Sequence, residues 1–137
     1  MSEVIKLKVI TPERVVFEGE VTKYTVKSSG EVGDFEVLPG HISMASTIGL
    51  GKIEMYLEDG TKKEMTCFGG FNLIDSDNAT IMTEVAEWPE EIDIERAKAS
   101  KARAESRIND SKYDYARAHA SLLRAVQRID ICSDNIL

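Results

Sequence analysis

Apolar and polar residues alternate with a period of two through the N-terminal two-thirds of the chain. Such runs include Ile5/Leu7/Val9, Val15/Phe17, Tyr24/Val26, Ile53/Met55/Leu57, Met65/Cys67, Phe71/Leu73 and Ile81/Thr83/Val85. Turn-forming residues separate the runs at 58–61, 69–70 and 75–78. This pattern predicts a series of short strands and hairpins. Because both apolar faces of such strands need cover, we predict an N-terminal antiparallel β-sandwich made of two packed sheets.

The pattern changes after Trp88-Pro89. Residues 90–108 are rich in Ala, Glu, Lys and Arg and contain no Gly or Pro, which predicts a helix beginning near Asp93. A break follows, in which Ser111 and Asp114 have the spacing of a capping box for a second helix. The predicted apolar face of that helix consists of Tyr115, Leu122, Val126 and Ile129. We therefore predict a sandwich domain over 1–87 that folds alone, followed by an antiparallel two-helix hairpin over 88–137.

Charge divides the chain at almost the same place. Residues 1–92 hold eight Lys and Arg against seventeen Asp and Glu, whereas residues 93–130 hold nine against six. The formal net charge is −7, and no aromatic residues alternate with the arginines as a base-stacking platform would require. We therefore expect no nucleic acid among the partners. The asymmetry predicts two units that meet different partners.

The remaining composition excludes several classes. The N-terminal MSEVIKLKVIT alternates, and no segment approaches the ~20 apolar residues of a membrane span, so we expect a soluble, unexported protein without direct membrane insertion. Cys67 and Cys132 lie far apart without a CxxC motif or a His/Cys cluster. We therefore expect no metal site and no disulfide, but two buried or incidental thiols in a reducing cytoplasm.

The sequence contains no arrangement of residues that is typical of a catalytic site. His41 and His119 are the only histidines, and neither has a Cys, Ser or carboxylate neighbour in a nucleophile-and-base arrangement. Gly30 and Gly33 do not build a phosphate-binding loop, because no Gly-Lys-Ser/Thr follows and the next element is a strand. The sequence therefore predicts no catalytic residues and a protein that is not an enzyme.

Five segments occur in an order that is typical of one family. They are VITPERVVFEGEV, GDFEVLPGHISMAS, GGFNLIDSDNATIMTEVAE, EIDIERAKA and LLRAVQRI. In these segments the chain resembles, nearly end to end, the epsilon subunit of rotary proton-translocating ATP synthases, which corresponds to the mitochondrial delta subunit. The resemblance implies a non-catalytic central-stalk subunit, peripheral at the cytoplasmic face of the bacterial plasma membrane, that couples proton flow to ATP synthesis. It also implies that the sandwich packs on the gamma subunit and touches the c-ring, while the helices extend toward the alpha and beta subunits and inhibit ATP hydrolysis.

The segment from Gly33 to Ser46 is the docking loop in this resemblance. The implied contact residues for the c-ring and gamma are Asp34, Phe35, Glu36 and His41. The family pattern has a glycine at the position of Glu36, so we expect a turn that is reached without a residue specialised for positive φ. The alternative is a solvated acidic turn. The apolar Phe35 between two acids favours an interface.

The start of the predicted first helix matches a ligand motif of the same family. Residues 92–97 read IDIERA and match an Ile/Leu-Asp-x-x-Arg-Ala motif that binds ATP in some bacterial members. The resemblance implies an ATP site made by Glu87, Ile92, Asp93, Arg96, Ala97, Arg103, Arg124 and Arg128. Guanidinium groups hold phosphates, and carboxylates accept from adenine or ribose donors. The alternative is that the arginines form solvated faces with weak ion pairs and that Asp93 serves only as an N-cap. No cofactor is required, and ATP is expected only as a regulatory ligand.

Two function classes follow from these patterns. The first is the rotor subunit described above, and the second is a free-standing ATP-binding regulator that uses the arginine-rich helices. Co-purification with gamma and with membranes would indicate the first class. Nucleotide binding by a monomer without partners would indicate the second. We favour the rotor subunit.

Overall fold

The computed structural model describes residues 4–28, 33–40 and 43–134 of the 137-residue chain. Its strands are β1 (Ile5–Ile10), β2 (Val15–Val21), β3 (Lys23–Ser28), β4 (Phe35–Val37), β5 (Met44–Tyr56), β6 (Lys62–Asp75) and β7 (Asn78–Met82). Its α-helices are α1 (Ile94–Ile108) and α2 (Tyr115–Asp134), and a single 3-10 turn, Pro89–Glu91, precedes α1. The predicted fold class, a β-sandwich followed by two helices, is confirmed.

Within the described residues the strands form one continuous sheet in the order β2-β1-β7-β6-β5-β3-β4. We predicted antiparallel strands throughout, but β1 and β7 pair in parallel, with Lys6 opposite Asn78. The sequence pattern missed this pair because a parallel partner comes from a distant part of the chain. The pattern also divided β6 at Gly69-Gly70, whereas the structure continues the strand through both glycines.

The long strands β5 and β6 carry the sheet from one layer of the sandwich to the other. Residues 51–56 of β5 pair with β3, whereas residues 71–75 of β6 pair with β7. Tyr24 lies level with Met55 and Lys63, yet its hydroxyl donates to Asn72 Oδ1 at 2.7 Å. Asn72 is nine residues beyond Lys63, about 30 Å along a straight strand. The β5–β6 pair must therefore fold over and place the two layers face to face.

Two glycines allow backbones to approach closely where the sheet bends. Gly70 has φ of 125°, and a Cβ there would overlap the carbonyl oxygen of Met82. A Cβ at Gly51 would overlap the carbonyl oxygen of Lys27. Any side chain at either position would push a neighbouring strand away, so glycine is required by the geometry of the fold.

Inward side chains of both layers fill the space between them. The fully buried members include Val9, Val21, Val26, Ile53, Met55, Met65 and Ile81. Cys67 is also buried, and its thiol lies 3.5 Å from the Thr83 hydroxyl. Burial raises the pKa of the Cys67 thiol to about 11, against the smaller opposing effect of that hydroxyl. The thiol is therefore protonated and unreactive at neutral pH.

Aspartate side chains cap both helices. Asp93 Oδ1 accepts from the Arg96 amide at 3.1 Å, which confirms that α1 begins beside Asp93. At the second helix, Asp114 Oδ1 accepts from the Ala116 amide at 2.9 Å. The predicted capping box from Ser111 is wrong. Ser111 lies in the preceding turn, because Asp114 directly before Tyr115 satisfies the first free amides of the helix.

The two helices pack through alanines at seven-residue spacing. The buried pairs are Ala97 with Ala104 on α1 and Ala118 with Ala125 on α2. The predicted apolar face of α2 is only partly right, because Tyr115 is exposed while Leu122, Val126 and Ile129 are half-buried. The Tyr115 ring instead stacks on the exposed His119 at 5.6 Å between centroids. Alanine dominates the contact because small side chains let the helix backbones approach.

The chain divides into two compact units, Met1–Glu87 and Trp88–Leu137. The last residue of the first unit is fixed to β6. The Thr66 amide donates to the Glu87 carbonyl at 2.9 Å, and the Glu87 amide donates to Thr66 Oγ1 at 2.9 Å. Both bonds lie within the sandwich unit.

We expect a chain truncated after Glu87 to keep a single cooperative thermal transition. The truncation retains β1 to β7 and both hydrogen bonds between Thr66 and Glu87, and the sandwich is a compact unit with its own buried residues. Far-UV circular dichroism of the truncated and full chains would measure this. A broad, non-cooperative melt of the truncated chain would show that the helices are part of the core.

Candidate functional site

The predicted docking loop begins at Gly33, and the strand before it, β3, ends at Ser28. Asp34 is exposed, and its Oδ1 accepts from the Ser28 amide at 3.0 Å, which ties the start of this segment to the last residue of β3. Gly33 before it has φ of 75°, a conformation that favours glycine. The predicted contact residue His41 lies outside the described residues. The described part of this loop therefore presents the acidic side chain of Asp34 on a fixed backbone.

The next two predicted contact residues lie in β4, the edge strand of the sheet. Phe35 is half-buried opposite Val26, and Glu36 is exposed opposite Thr25. The Glu36 carboxylate lies 3.3 Å from Lys23 Nζ. Because Glu36 is an ordinary strand residue, its position needs no positive φ, and the substitution of the family's glycine is accommodated. Asp34 and Glu36 lie two residues apart at this end of the sheet.

Sequence reasoning missed an apolar surface on the outer face of the other layer. We call it the outer apolar patch and define it as Ile10, Phe71, Leu73 and Met82. Phe71 and Leu73 are 55% and 40% exposed, and Met82 lies opposite Phe71 and Ile10. An open cavity of about 510 Å³ adjoins Phe71 and Met82. Contiguous exposed apolar surface of this kind is typical of a protein interface.

The outward direction of Phe71 and Leu73 follows from the residue between them. Asn72 is 0% exposed and faces the core, where it accepts the hydrogen bond from Tyr24. Burial raises the pKa of the Tyr24 hydroxyl, against the smaller effect of that hydrogen bond, so Tyr24 stays a donor at neutral pH. The sequence signal was present in GGFNLI, since Asn72 and Ile74 alternate with Phe71 and Leu73. Alternation alone does not say which set faces inward.

A network of lysines and glutamates covers the outer face of the layer that contains β3 and β4. Glu54 and Glu64 lie directly opposite each other on β5 and β6 and are 2% and 8% exposed. Lys62 Nζ bridges them at 2.7 Å and 3.2 Å. Lys27 lies 2.8 Å from Glu54, and Lys52 lies 3.5 Å from Glu64. Each buried carboxylate therefore has two cations near it.

Two opposing effects set the ionisation of Glu54. Burial raises the pKa of Glu54, but the contacts with Lys27 and Lys62 outweigh it and lower the pKa to about 2. The contact with Glu54 raises the pKa of Lys62 in turn. The pair therefore remains charged at neutral pH. Removing the Glu54 charge would leave Lys27 and Lys62 without this carboxylate, whereas removing Lys62 would leave the buried Glu54 with Lys27 alone.

The predicted ATP residues are distributed over both units. Glu87 ends the sandwich unit, and the other members belong to the helical unit. Ile92 is half-buried directly after the 3-10 turn, Asp93 caps α1, and Ala97 is buried against α2 as part of the alanine contact. The Asp93 carboxylate thus has a structural role whether or not it also binds a ligand.

The antiparallel hairpin separates the arginines into two groups. Ala104 of α1 and Ala118 of α2 line the same cavity, so they lie at the same level of the antiparallel hairpin. Counting along both helices from this level places Arg124 and Arg128 beside the first turns of α1, the level at which Arg96 lies. Arg103 lies about 10 Å further along α1 than Arg96. Together with Arg107 and Arg117 it lines a cavity of about 450 Å³ beside the turn between the helices. The structure therefore brings Arg96, Arg124 and Arg128 to one end and places Arg103 toward the other.

Five of the helix arginines lack the weak ion pairs of the alternative interpretation. Across 4–28, 33–40 and 43–134, neither Arg96 nor Arg103, Arg107, Arg117 or Arg124 has a carboxylate oxygen within 4 Å. Glu95 instead lies 3.8 Å from Lys98, and Asp114 is occupied as a cap. The guanidinium groups of these five arginines are therefore available to an anionic partner.

Two further classes of site are absent from the described residues. No three His, Cys, Asp or Glu side chains of the described chain come together as a metal site would need. Neither described helix is long and apolar enough to cross a bilayer. Cys67 and Cys132 are free thiols.

The surfaces that the structure presents are an acidic loop, an apolar patch and arginine-lined helices, which together are typical of a subunit that binds other proteins. The family comparisons agree with this class. The family profile described as the beta-sandwich domain of the ATP synthase delta/epsilon chain matches residues 4–89. The profile of its long alpha-helix domain matches residues 90–133.

Curated relatives match along nearly the whole chain. The ATP synthase epsilon chain of Caldanaerobacter subterraneus subsp. tengcongensis is 39% identical over 136 residues, covering 97% of this chain and 96% of the relative. The ATP synthase epsilon chain of Halalkalibacterium halodurans is 37% identical, covering 93% and 96%. The sodium ion specific epsilon chain of Acetobacterium woodii is 38% identical, covering 83% and 84%. The chain belongs to the ATP synthase delta/epsilon family.

Solved structures share the fold. A chain of the mitochondrial ATP synthase OSCP/F1/c-ring assembly of Euglena gracilis has a TM-score of 0.81 at 21% identity, covering 93% of this chain and 80% of that chain. A chain of the Tetrahymena thermophila mitochondrial ATP synthase central stalk and c-ring has a TM-score of 0.55 at 8% identity, covering 97% and 96%.

We expect Glu54 to make the stability of the sandwich depend on acid. The pKa of Glu54 is about 2 in the folded chain and 4.5 as an unperturbed group, so the unfolded state takes up the proton first. The free energy of unfolding should therefore fall as pH decreases from about 4.5 toward 2. In the variant Glu54→Gln, stability should be lower at neutral pH and its decline below pH 4.5 should be shallower.

Urea unfolding at a series of pH values would measure both quantities. Glu58→Gln is the matched control, because Glu58 is exposed in the β5–β6 turn. If Glu54→Gln and Glu58→Gln both kept the pH profile of the original chain, Glu54 would not be the titrating group.

Proposed function

We propose that this chain is a non-catalytic rotor subunit in the central stalk of an ATP synthase, coupling proton translocation to ATP synthesis. It is peripheral at the cytoplasmic face of a bacterial plasma membrane. The observation that carries the proposal is the match of one chain to both family domains in order, over residues 4–133. The exposed surfaces support it, because a stalk subunit must hold a partner on one side and meet the membrane ring on another.

The two surfaces of the sandwich suggest a division of partners. The outer apolar patch around Phe71 fits a long-lived interface with gamma, since buried apolar surface gives an interface its stability. Asp34 and Glu36 fit a charged contact with the polar loops of the c-ring, where charges at a rim govern association.

The helical unit fits a regulatory role. In the proposal its helices open, extend along gamma toward the alpha and beta subunits and block ATP hydrolysis there. A hairpin held by alanines buries little apolar area, so its folded form is only modestly stabilised. ATP bound at the first turn of α1, near Arg96, Arg124 and Arg128, would favour the folded form, because a ligand shifts an equilibrium toward the state that it binds better.

We expect the double variant Asp34→Asn/Glu36→Gln to weaken attachment of the catalytic head to c-ring membranes, most clearly at low ionic strength. Asn at position 34 keeps the oxygen that accepts from Ser28, so the loop stays fixed while the charge is lost. Glu36→Gln removes the charge beside Lys23 without reversing it. Sedimentation of membranes with reconstituted heads over a range of salt concentrations would measure attachment.

Glu58→Gln is again the control, because Glu58 lies beyond Tyr56, at the opposite end of the same strands. Attachment that is equal for the double variant, the control and the original chain at every salt concentration would exclude Asp34 and Glu36 as the ring contact. Attachment lost equally in the control would indicate a general effect of net charge.

We expect the isolated chain to bind ATP in the millimolar range, and Arg96→Gln to weaken that binding about tenfold. Asp93→Asn should weaken it as well. Asn caps a helix as well as Asp does, so this variant removes the carboxylate charge without shortening α1. Isothermal titration calorimetry would measure the affinity, and Lys98→Gln is the control for loss of one exposed cation from α1.

Absence of heat at millimolar ATP would reject the ligand switch and leave the rotor function standing. Equal affinity of Arg96→Gln and Lys98→Gln would place the site elsewhere. ATP binding by a chain that fails to associate with gamma or membranes would favour the alternative function, a free-standing ATP-binding regulator.

A further inference from the structure

A second cationic feature lies at the turn between the helices, away from the Ile92–Ala97 motif. We call it the turn-end pocket and define it as the cavity lined by Arg103, Arg107, Lys112, Tyr113 and Arg117. Its volume is about 450 Å³. This lies within the usual size range of small-molecule sites. The four cations come from α1, from the turn and from α2, and they surround one concavity.

The charge of this pocket is not balanced by the protein. Asp114 is the one carboxylate in the lining, and its Oδ1 accepts from the amides of Ala116 and Arg117 at 2.9 Å and 3.4 Å. No carboxylate oxygen of the described residues lies within 4 Å of any of the four cations. Four like charges around a small cavity repel one another, so an anion placed among them lowers the energy of all four.

The turn that carries two of the lining residues has a defined backbone. Asp110 Oδ1 accepts from the Lys112 amide at 3.0 Å, and the Asp110 carbonyl accepts from the Tyr113 amide at 3.1 Å. The Arg107 guanidinium lies over the Tyr113 ring, 4.8 Å from its centroid. Stacking holds the guanidinium plane and leaves its N–H edges free to donate. The pocket is therefore partly organised before any ligand arrives, which reduces the entropic cost of binding.

We propose that the turn-end pocket binds a compact oligophosphate group, such as pyrophosphate or the phosphate chain of a nucleotide. Arginine forks match phosphate oxygens two at a time, and a diphosphate or triphosphate carries enough charge to meet four cations. An acidic protein segment is extended and would follow a stripe along one helix, whereas these cations converge from three segments. The hydroxyls of Ser100 and Ser121 line the same cavity and supply further donors.

The site goes beyond the proposed rotor function and is separate from the motif at the start of α1. Of the ATP residues that the resemblance implies, the pocket contains only Arg103. It requires Arg107 of α1 and Arg117 of α2 together, so it exists only when the hairpin is closed at its turn. A ligand there stabilises the closed hairpin by the amount that it prefers this form.

The test is an NMR titration of the ¹⁵N-labelled full chain with inorganic pyrophosphate. We expect saturable shifts of amides between Ser100 and Ser121, including Lys112 and Tyr113, while the Asp93 and Arg96 amides stay in place. The double variant Arg107→Gln/Arg117→Gln should raise the dissociation constant at least about tenfold. Lys98→Gln/Lys101→Gln is the matched control. It removes the same charge from α1 outside the pocket and should change the constant less than about twofold.

Several results would overturn the proposal. These are the absence of saturable shifts at millimolar pyrophosphate, an equal loss of affinity in the control, or shifts centred on Arg96. If the double variant loses helicity, Lys112→Gln replaces it, because Lys112 lies in the turn outside both helices. Binding of a Glu/Asp-rich peptide without binding of pyrophosphate would also reject an oligophosphate site and would assign the pocket to a protein partner.

Titration with ADP distinguishes a free oligophosphate from the phosphate chain of a nucleotide. The variant Arg96→Gln is used, because it weakens ATP binding at the start of α1. Equal affinity for ADP and pyrophosphate indicates that the phosphates alone are recognised. Tighter binding of ADP indicates that the half-exposed Tyr113 also contacts the nucleoside. Either result supports the pocket. Failure of the rotor function would leave this test unaffected, because the test uses the isolated chain.

Discussion

The close backbone contact at Gly51 and Gly70 is the constraint on which the sandwich depends. The β5–β6 pair belongs to both layers, and it changes direction where these glycines let Lys27 and Met82 approach. The fold-over brings Tyr24 to Asn72 and closes the core between the layers. It also turns Phe71 and Leu73 outward, since their neighbour Asn72 must face Tyr24. The apolar patch thus follows from the same bend that makes the core.

The helical unit is built on a different principle. Four buried alanines line the contact between its helices, and they allow close approach but bury little area per residue. Aspartate caps at both helix starts and a fixed turn define its shape. Within the described residues, five of its arginines have no carboxylate oxygen within 4 Å, namely Arg96, Arg103, Arg107, Arg117 and Arg124. Such a unit has a defined backbone conformation, but the contact between its helices contributes little free energy. If the unit has two states, a small difference in free energy suffices to shift it from one to the other.

Local patterns predicted the elements well, and long-range contacts explain what they missed. The alternation in β1 and β3 and the composition of α1 predicted those elements directly, because strand and helix periods are local properties. The parallel β1–β7 pair, the continuity of β6 through Gly69-Gly70 and the inward Asn72 depend on partners far away in the chain. The prediction of a cap at Ser111 was wrong because Asp114, directly before the helix, accepts the hydrogen bond from the first free amides instead.

The composition of the candidate sites also depends on long-range contacts that local sequence patterns do not reveal. Motif resemblance selected residues near Arg96 and the acidic loop, but spacing along one helix could not show which arginines share a cavity. That grouping depends on the antiparallel pairing of α1 with α2, which places Arg107 and Arg117 together at the turn. The outer patch was missed because an apolar residue in a strand is normally assigned to the core.

The hydrogen bonds between Thr66 and Glu87 have a mechanical consequence. Beyond β7 the chain stays bonded to β6, through the Phe68 amide to Val85 and through Thr66 to Glu87, up to the last residue of the sandwich unit. Tension applied to the helical unit enters the sandwich at Glu87, so these bonds carry the load before any core side chain does. These hydrogen bonds thus separate the core from a force that acts on the helical unit. Pulling on the helices therefore need not loosen the core of the sandwich.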